Sequence, residues 1–181
     1  MLYFLRDLVK FQTPEDKGFS RLRAGDEVLL TGEIFTARDQ AHKRLVELIK
    51  KGAKLPIALK GQIIYYCGPT RTPPGKAIGS CGPTTSARMD KMTGPLLAFG
   101  LKGMIGKGRR SEEVRRLIKK HKAVYFLATG GAGAFLSKRV LSIKPVCFKE
   151  LGPEAIYKVR VKDFPLIVGI DSRGTDVFDK R

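Results

Sequence analysis

Short apolar runs of strand length alternate with segments of helical period along this chain, and that alternation most confines its fold. Residues 27–32 read as a short buried strand entered from Gly25 and Asp26, and Ile34, Phe35 and Thr36 either continue it or begin its partner. Ala41, Leu45, Leu48 and Ile49 then recur at helical spacing, with Asp39 able to cap the helix and Lys50, Lys51 and Gly52 as stop signals. Residues 61–69 read as a second buried strand that ends in a Pro- and Gly-rich loop over residues 70–79. Further strands are expected at 101–105, 123–128, 146–149, 156–161 and 166–170. Ser111 caps a helix that ends at the basic residues 119–122, and a short helix is expected over residues 134–141. The pattern is that of a mixed α/β domain. A length of 181 residues suits one such domain over residues 21–181, preceded by an N-terminal arm or edge strand over residues 1–20.

Charge narrows the partners without choosing among them. With 35 Lys and Arg against 17 Asp and Glu the formal net charge is +18, which makes a small anionic substrate, an acidic protein or nucleic acid plausible. The basic residues are spread in pairs along helices, as in Lys43-Arg44 and Lys119-Lys120, and form no concentrated stripe. No aromatic run resembles an RNA-binding motif and no cysteine pair has zinc-finger spacing, so a basic nucleic-acid-binding module is the weaker reading. The apolar start is broken at once by Arg6 and Asp7, which is unlike a signal peptide, and no later run reaches membrane-spanning length. A cytoplasmic protein is expected.

Chemistry concentrates in three segments. In Gly82-Pro83-Thr84-Thr85-Ser86-Ala87-Arg88-Met89-Asp90, Thr84 is a good helix N-cap, and Arg88 four residues on would share its face at an anion-attracting helix mouth. In the segment from Thr36 to Arg44, Arg38 lies at a strand-to-helix junction, where its planar fork suits a carboxylate. The plainer reading there is a local Arg38–Asp39 ion pair, with His42 a surface or core-edge histidine. In Gly106-Lys107-Gly108 the missing side chains would let a ligand approach the ammonium, although an exposed turn lysine has the same signature.

Two glycine motifs fail on spacing. Gly103 lies too near Lys107 and Gly108 follows it where a phosphate loop needs Ser or Thr, so nucleotide hydrolysis is rejected. Counting from Gly131, a dinucleotide fingerprint would place its third glycine at Leu136. Cys67, Cys81 and Cys147 are an odd number without a close pair, against both a disulfide framework and usual iron–sulfur spacing. Small buried hydrophobes are their commoner role, and Cys81 lies nearest the Thr84 turn.

Taken together, residues 32–44, 82–90 and 106–108 resemble the C-terminal domain of class I, iron–sulfur-dependent fumarases and the separate β subunit of two-subunit fumarases and L-tartrate dehydratases. The likeness covers roughly residues 20–180, and both the Thr-Ala-Arg-Asp-x-Ala-His-Lys-Arg and Gly-Pro-Thr-Thr-x-x-Arg-Met-Asp runs stand in full. It implies a swivelling β/β/α domain, a mixed sheet with flanking helices, similar to the mobile domain of aconitase. It further implies a hydro-lyase acting on fumarate and malate, with tartrate or a methyl-substituted dicarboxylate as alternatives. By the resemblance Arg38, Arg88 and Lys107 hold the substrate carboxylates and Thr84, or else Thr85, moves the carbon-bound proton, with Asp39 and His42 close behind. The [4Fe–4S] cluster and the opposing Asp would belong to an α subunit in a hetero-oligomer such as α2β2, and this chain would ligate no metal. An assembly subunit with a degenerate site is a third, structural reading.

Overall fold

The computed structural model describes residues 8–14 and 18–179. Seven strands form one mixed sheet in the order β1-β2-β3-β4-β5-β7-β6, with a further pairing of β2 to β7. Strands β1 (Val9–Thr13), β2 (Glu27–Thr36), β3 (Ile63–Tyr65), β4 (Gly103–Gly106) and β5 (Val124–Leu127) run parallel to one another. Strands β6 (Val140–Cys147) and β7 (Ile156–Ile170) are antiparallel to theirs. Because β7 pairs with both β5 and β2, the strands β2, β3, β4, β5 and β7 close into a ring.

Side-chain alternation along the strands separates two cores. Ile63, Tyr65 and Cys67 point into the ring with Val28, Leu30, Phe126, Val161 and Phe164. Ile64 and Tyr66 point outward with Phe35, Met104 and Tyr125. Helices α1 (Asp39–Lys50), α2 (Asp90–Ala98) and α3 (Glu112–His121) cover that outer face, each making the crossover between successive parallel strands. Ala41, Leu45, Leu96, Val114 and Ile118 are the buried positions that hold them there. The Ser111 hydroxyl accepts the Val114 N–H at 3.3 Å, so α3 starts where its sequence signal stands.

The α/β class and the flanking helices agree with the sequence pattern; several boundaries do not. Residues 27–36 are one strand, with a register shift between Leu30 and Gly32. Residues 156–161 and 166–170, expected as two strands, belong to one 15-residue strand. It bends at Asp163, which has φ 49° and whose N–H donates to Thr31 Oγ1 at 3.0 Å. The polar residues at the bend imitate a turn, while pairing to β2 resumes on either side. The helix expected over residues 134–141 shrinks to α4 (Gly133–Ser137), because Val140 is already paired to Val161 in β6. Likewise residues 146 and 147 close β6, where a separate strand over residues 146–149 was expected.

This topology places the carboxyl ends of β2, β3, β4 and β5 on one edge. There the chain leaves the sheet at residues 37–39, 66–68, 107–108 and 128–131, the usual ligand edge of a parallel sheet.

Candidate active site

Arg38 is the last residue before α1, with extended backbone (φ −134°, ψ −153°), and it occupies the N-cap position. Asp39 is therefore the first helical residue rather than the cap. The missing cap comes from far along the chain: Glu154 Oε2 accepts the Gln40 N–H at 2.8 Å, and Glu154 Oε1 lies 3.4 Å from Arg38 Nη2. Relieved of capping, the Asp39 carboxylate faces outward. It receives Arg38 Nε at 3.4 Å and both arms of the Arg88 fork, Nε at 3.0 Å and Nη2 at 2.5 Å. Gly68 makes room for this cluster, since a Cβ there would stand 2.9 Å from Arg38 Nη1. Burial works to raise the Asp39 pKa, but hydrogen bonds from Arg88, its own amide and Arg38, together with the Arg88 charge, hold it below the ordinary value.

The turn at residues 82–90 differs from the expected helix mouth. Thr84 donates its N–H to Tyr66 O at 2.7 Å, extending the line of β3, and Thr85 bridges Lys107 in parallel fashion at the end of β4. Sheet hydrogen bonds thus claim both threonines, and helical structure begins only with a short 3-10 turn, Ser86–Met89, ahead of α2. Thr84 is not the cap, Thr85 occupies that position without a side-chain cap bond, and Thr84 and Arg88 do not share a helical face. What the turn does accomplish is to bring Arg88 onto the Asp39 carboxylate and Thr85 beside Lys107.

The layer beneath the shelf gives several residues roles that the sequence did not announce. Gly106 lacks a side chain because its Cβ would stand 1.9 Å from Ser86 Oγ. Buried Ser86 is hydrogen-bonded through its N–H to Lys107 O at 3.0 Å and through its hydroxyl to Tyr125 at 2.9 Å. Arg110 has a fully buried side chain between the rings of Tyr66 and Tyr125, pairs with Asp90 at 2.7 Å and donates to Thr93 Oγ1 at 2.8 Å. In sequence it is indistinguishable from exposed Arg109. Gly133 serves contact with a neighbouring loop: a Cβ there would meet Ser80 Oγ at 2.3 Å and Gly82 N at 2.8 Å.

His42 is buried under the cluster, its Nδ1 3.0 Å from Arg38 O and its ring edge-on to Tyr66. A carbonyl only accepts, so Nδ1 carries a proton, while Nε2 is buried without a hydrogen-bond partner among the described residues. Burial, reinforced by the Arg110 charge, pushes its pKa down to about 4, against the opposing Arg38 carbonyl and Asp39. His42 is thus a support for the Arg38 backbone rather than a surface residue.

The cysteines do not fit an iron–sulfur cluster. Cys67 and Cys81 are buried in the ring, where burial pushes the Cys81 thiol up to about 11 and the Cys67 thiol higher still. Cys147 lies on β6, with its thiol raised to about 11 by burial and by Glu150. Among the described residues no group of three or more His, Cys, Asp and Glu side chains is placed to hold a metal ion. The same residues include no helix long and apolar enough to cross a membrane.

Fold and site define an α/β domain with a cationic shelf, Arg38, Arg88 and Lys107, on the carboxyl edge of its parallel strands. The chain belongs to the fumarase C-terminus family, which it matches over residues 7–181. It is 38% identical over 177 residues to fumarate hydratase 2 of Leishmania major, covering 95% of this chain and 31% of that protein. It is 42% identical over 153 residues to the anaerobic class I fumarate hydratase of Escherichia coli, covering 83% and 28%. A third relative, the putative L(+)-tartrate dehydratase subunit beta of Methanocaldococcus jannaschii, is 37% identical over 170 residues, covering 91% of this chain and 87% of the relative. The chain thus spans less than a third of the length of the fumarate hydratases and most of the beta subunit. The names of these relatives are those of hydro-lyases.

Proposed function

We propose that this chain is the β subunit of a two-subunit hydro-lyase that reversibly hydrates fumarate to malate. The observation that carries the reading is the convergence of Arg38, Arg88 and Lys107 with Thr84 and Thr85 at one sheet edge. Removing a proton α to a carboxylate builds up a second negative charge on that carboxylate, and fixed cations are the groups that stabilise it. Arg38 and Arg88 offer planar forks for the two carboxylates, and exposed Lys107 adds a mobile point charge.

Thr84 is the proton-transfer group in this reading, with Thr85 as the alternative. A threonine hydroxyl is a poor base, and each unit of pKa shift needs about 1.4 kcal/mol of differential stabilisation. Thr84 is half-buried, whereas Thr85, which bridges Lys107, is more exposed. The [4Fe–4S] cluster is assigned to an α subunit, where it would supply Lewis acidity toward the substrate hydroxyl. The same α subunit would bring the opposing Asp and form a hetero-oligomer, such as α2β2, in the cytoplasm. The near full-length match to a tartrate dehydratase beta subunit favours L-tartrate as the second substrate reading. A methyl-substituted dicarboxylate would use the same cations.

The test is anaerobic co-expression with a cysteine-bearing α subunit, cluster reconstitution, and absorbance assay of fumarate and L-tartrate turnover by wild type and Thr84→Ala. Activity that requires both chains and is lost in the variant supports the reading. Activity without this chain, or an unaffected Thr84→Ala enzyme with Thr85→Ala equally silent, overturns it.

A further inference from the structure

Three cations at the shelf leave most of the +18 charge unexplained. Part of the remainder has a local reason: Lys50 ends α1, and Lys119 and Lys120 lie in the last turn of α3, where the helix dipole favours positive charge. The outer face of β6 and β7 has no such reason. Along β7, Lys158, Arg160 and Lys162 alternate with the buried Val159 and Val161, so the three cations share the solvent face. On β6, Lys144 stands directly opposite Lys158, an arrangement of like charges that costs a sheet stability. Glu33 pairs with Lys158 at 3.0 Å, but no described carboxylate lies within ion-pair distance of Lys144, Arg160 or Lys162.

Two apolar side chains border this face. Leu141 and Val146 are 52% and 37% exposed, and each stands at a register break of β6 against β7. The face also begins at the rim of the shelf: Tyr157 pairs with Thr36, two residues before Arg38, and its N–H donates to Thr36 Oγ1 at 3.3 Å.

We infer that the β6–β7 face docks an acidic surface of the companion polypeptide that closes the shelf, with Leu141 and Val146 packing against apolar groups at its margin. The inference rests on the reading that a second chain completes the site. Charge complementarity selects the occupant, since a second copy of this chain would set lysines against lysines. Leu141 and Val146 favour a protein over nucleic acid, because a phosphate backbone offers them nothing to bury against. Pro145 removes an N–H from the middle of β6, so recognition runs through side chains rather than through an added strand.

The experiment measures the dissociation constant of the co-expressed, reconstituted pair by sedimentation across a NaCl series, with catalytic activity followed in parallel. The Lys158→Glu/Arg160→Glu/Lys162→Glu variant is compared with Lys119→Glu/Lys120→Glu/Lys122→Glu, which changes charge equally at the C-terminal end of α3. The expected result is roughly tenfold or greater weakening and a flatter salt dependence for the β7 variant, with the α3 variant near wild type. Leu141→Ser/Val146→Ser should weaken the pair while preserving the salt slope, and circular dichroism verifies that each variant is folded. A wild-type pair that forms and works, yet binds equally well in the β7 variant, overturns this inference and leaves the proposed function standing. Absence of any complex overturns both. Binding of a 30-base-pair duplex that the β7 reversal abolishes, with no effect on the pair, would assign the face to nucleic acid and also overturn it.

Discussion

The Asp39 carboxylate grips the Arg88 guanidinium by both arms, at 3.0 and 2.5 Å, across a separation of 49 residues. Asp39 also touches Arg38, so one side chain couples the strand-to-helix junction after β2 to the turn before α2. The two arginines assigned to the substrate carboxylates therefore approach one another around an internal carboxylate. It aligns the forks, and it must share them when a dicarboxylate arrives.

Asp39→Asn should loosen Arg88 without unfolding the protein. The Arg88 side chain is 49% exposed, so the pair contributes at most about 1 kcal/mol to stability. Steady-state kinetics of the assembled enzyme should show a KM for dicarboxylate raised about tenfold, with kcat changed less, as expected for lost positioning of a binding group. An unchanged KM would mean that Arg88 does not bind substrate. Because the Asp39 pKa is lower folded than unfolded, its contribution is present above the ordinary value of 3.8 and is lost as pH falls through the folded value. Urea unfolding should therefore distinguish wild type from Asp39→Asn less at pH 3 than at pH 7.

His42 supplies a second pH dependence, in a higher window. The unfolded chain takes up its proton near 6.5, and the folded protein only near 4. Stability is then full above the unfolded value and declines as pH drops from 6.5 toward 4, by roughly 2 kcal/mol at pH 5 for one such proton. His42→Leu removes the titration at similar volume. Plotted against pH, the wild-type urea midpoint should fall between pH 7 and pH 5 while that of the variant stays flatter. Parallel curves would place the titration elsewhere.

Local and long-range information divided cleanly in this chain. Helices α1 and α3 were legible because amphipathic spacing, a Ser cap and basic ends act within a few residues. Thr84 misled for the same local reason, since a good capping residue looks identical whether or not a neighbouring strand claims its backbone. Glu154, the true cap of α1, lies 114 residues from Gln40, and no local pattern announces it. Buried Arg110 and the ring closure through β7 are likewise products of topology. Composition marks an arginine as a surface residue until the rings and the carboxylate that surround it are known.

Gly106 and Gly108 flank Lys107, and alanine should separate their roles. At Gly106 a Cβ would meet Ser86 Oγ at 1.9 Å and Tyr66 Cδ2 at 2.9 Å, both in the buried layer under the shelf. Overpacking there should cost about 1–3 kcal/mol or more and displace the bridge between Thr85 and Lys107. At Gly108 nothing lies within 4 Å, and only its φ of 81° opposes a side chain, a penalty of about 1–2 kcal/mol. Thermal melts and turnover of the assembled enzyme should show Gly106→Ala losing both stability and activity, with Gly108→Ala losing mainly stability. Equal activity losses would imply that Lys107 responds to backbone strain on either side.

Arg110 and Asp90 test how the shelf is held from below. The pair is 2.7 Å apart, with the arginine side chain wholly buried and Asp90 nearly so. Arg110→Met removes the cation and leaves Asp90 charged in a low-dielectric pocket, where loss of a buried partner typically costs about 3–5 kcal/mol. Asp90 also accepts the Ser111 N–H at 2.7 Å, so it anchors the start of α3 and cannot simply be deleted. Asp90→Asn keeps an acceptor for that N–H and removes the stranded charge. The double variant Arg110→Met/Asp90→Asn should therefore be more stable than Arg110→Met alone by chemical denaturation. A double variant no better than the single would locate the cost in the lost packing of the guanidinium between Tyr66 and Tyr125, with charge playing little part.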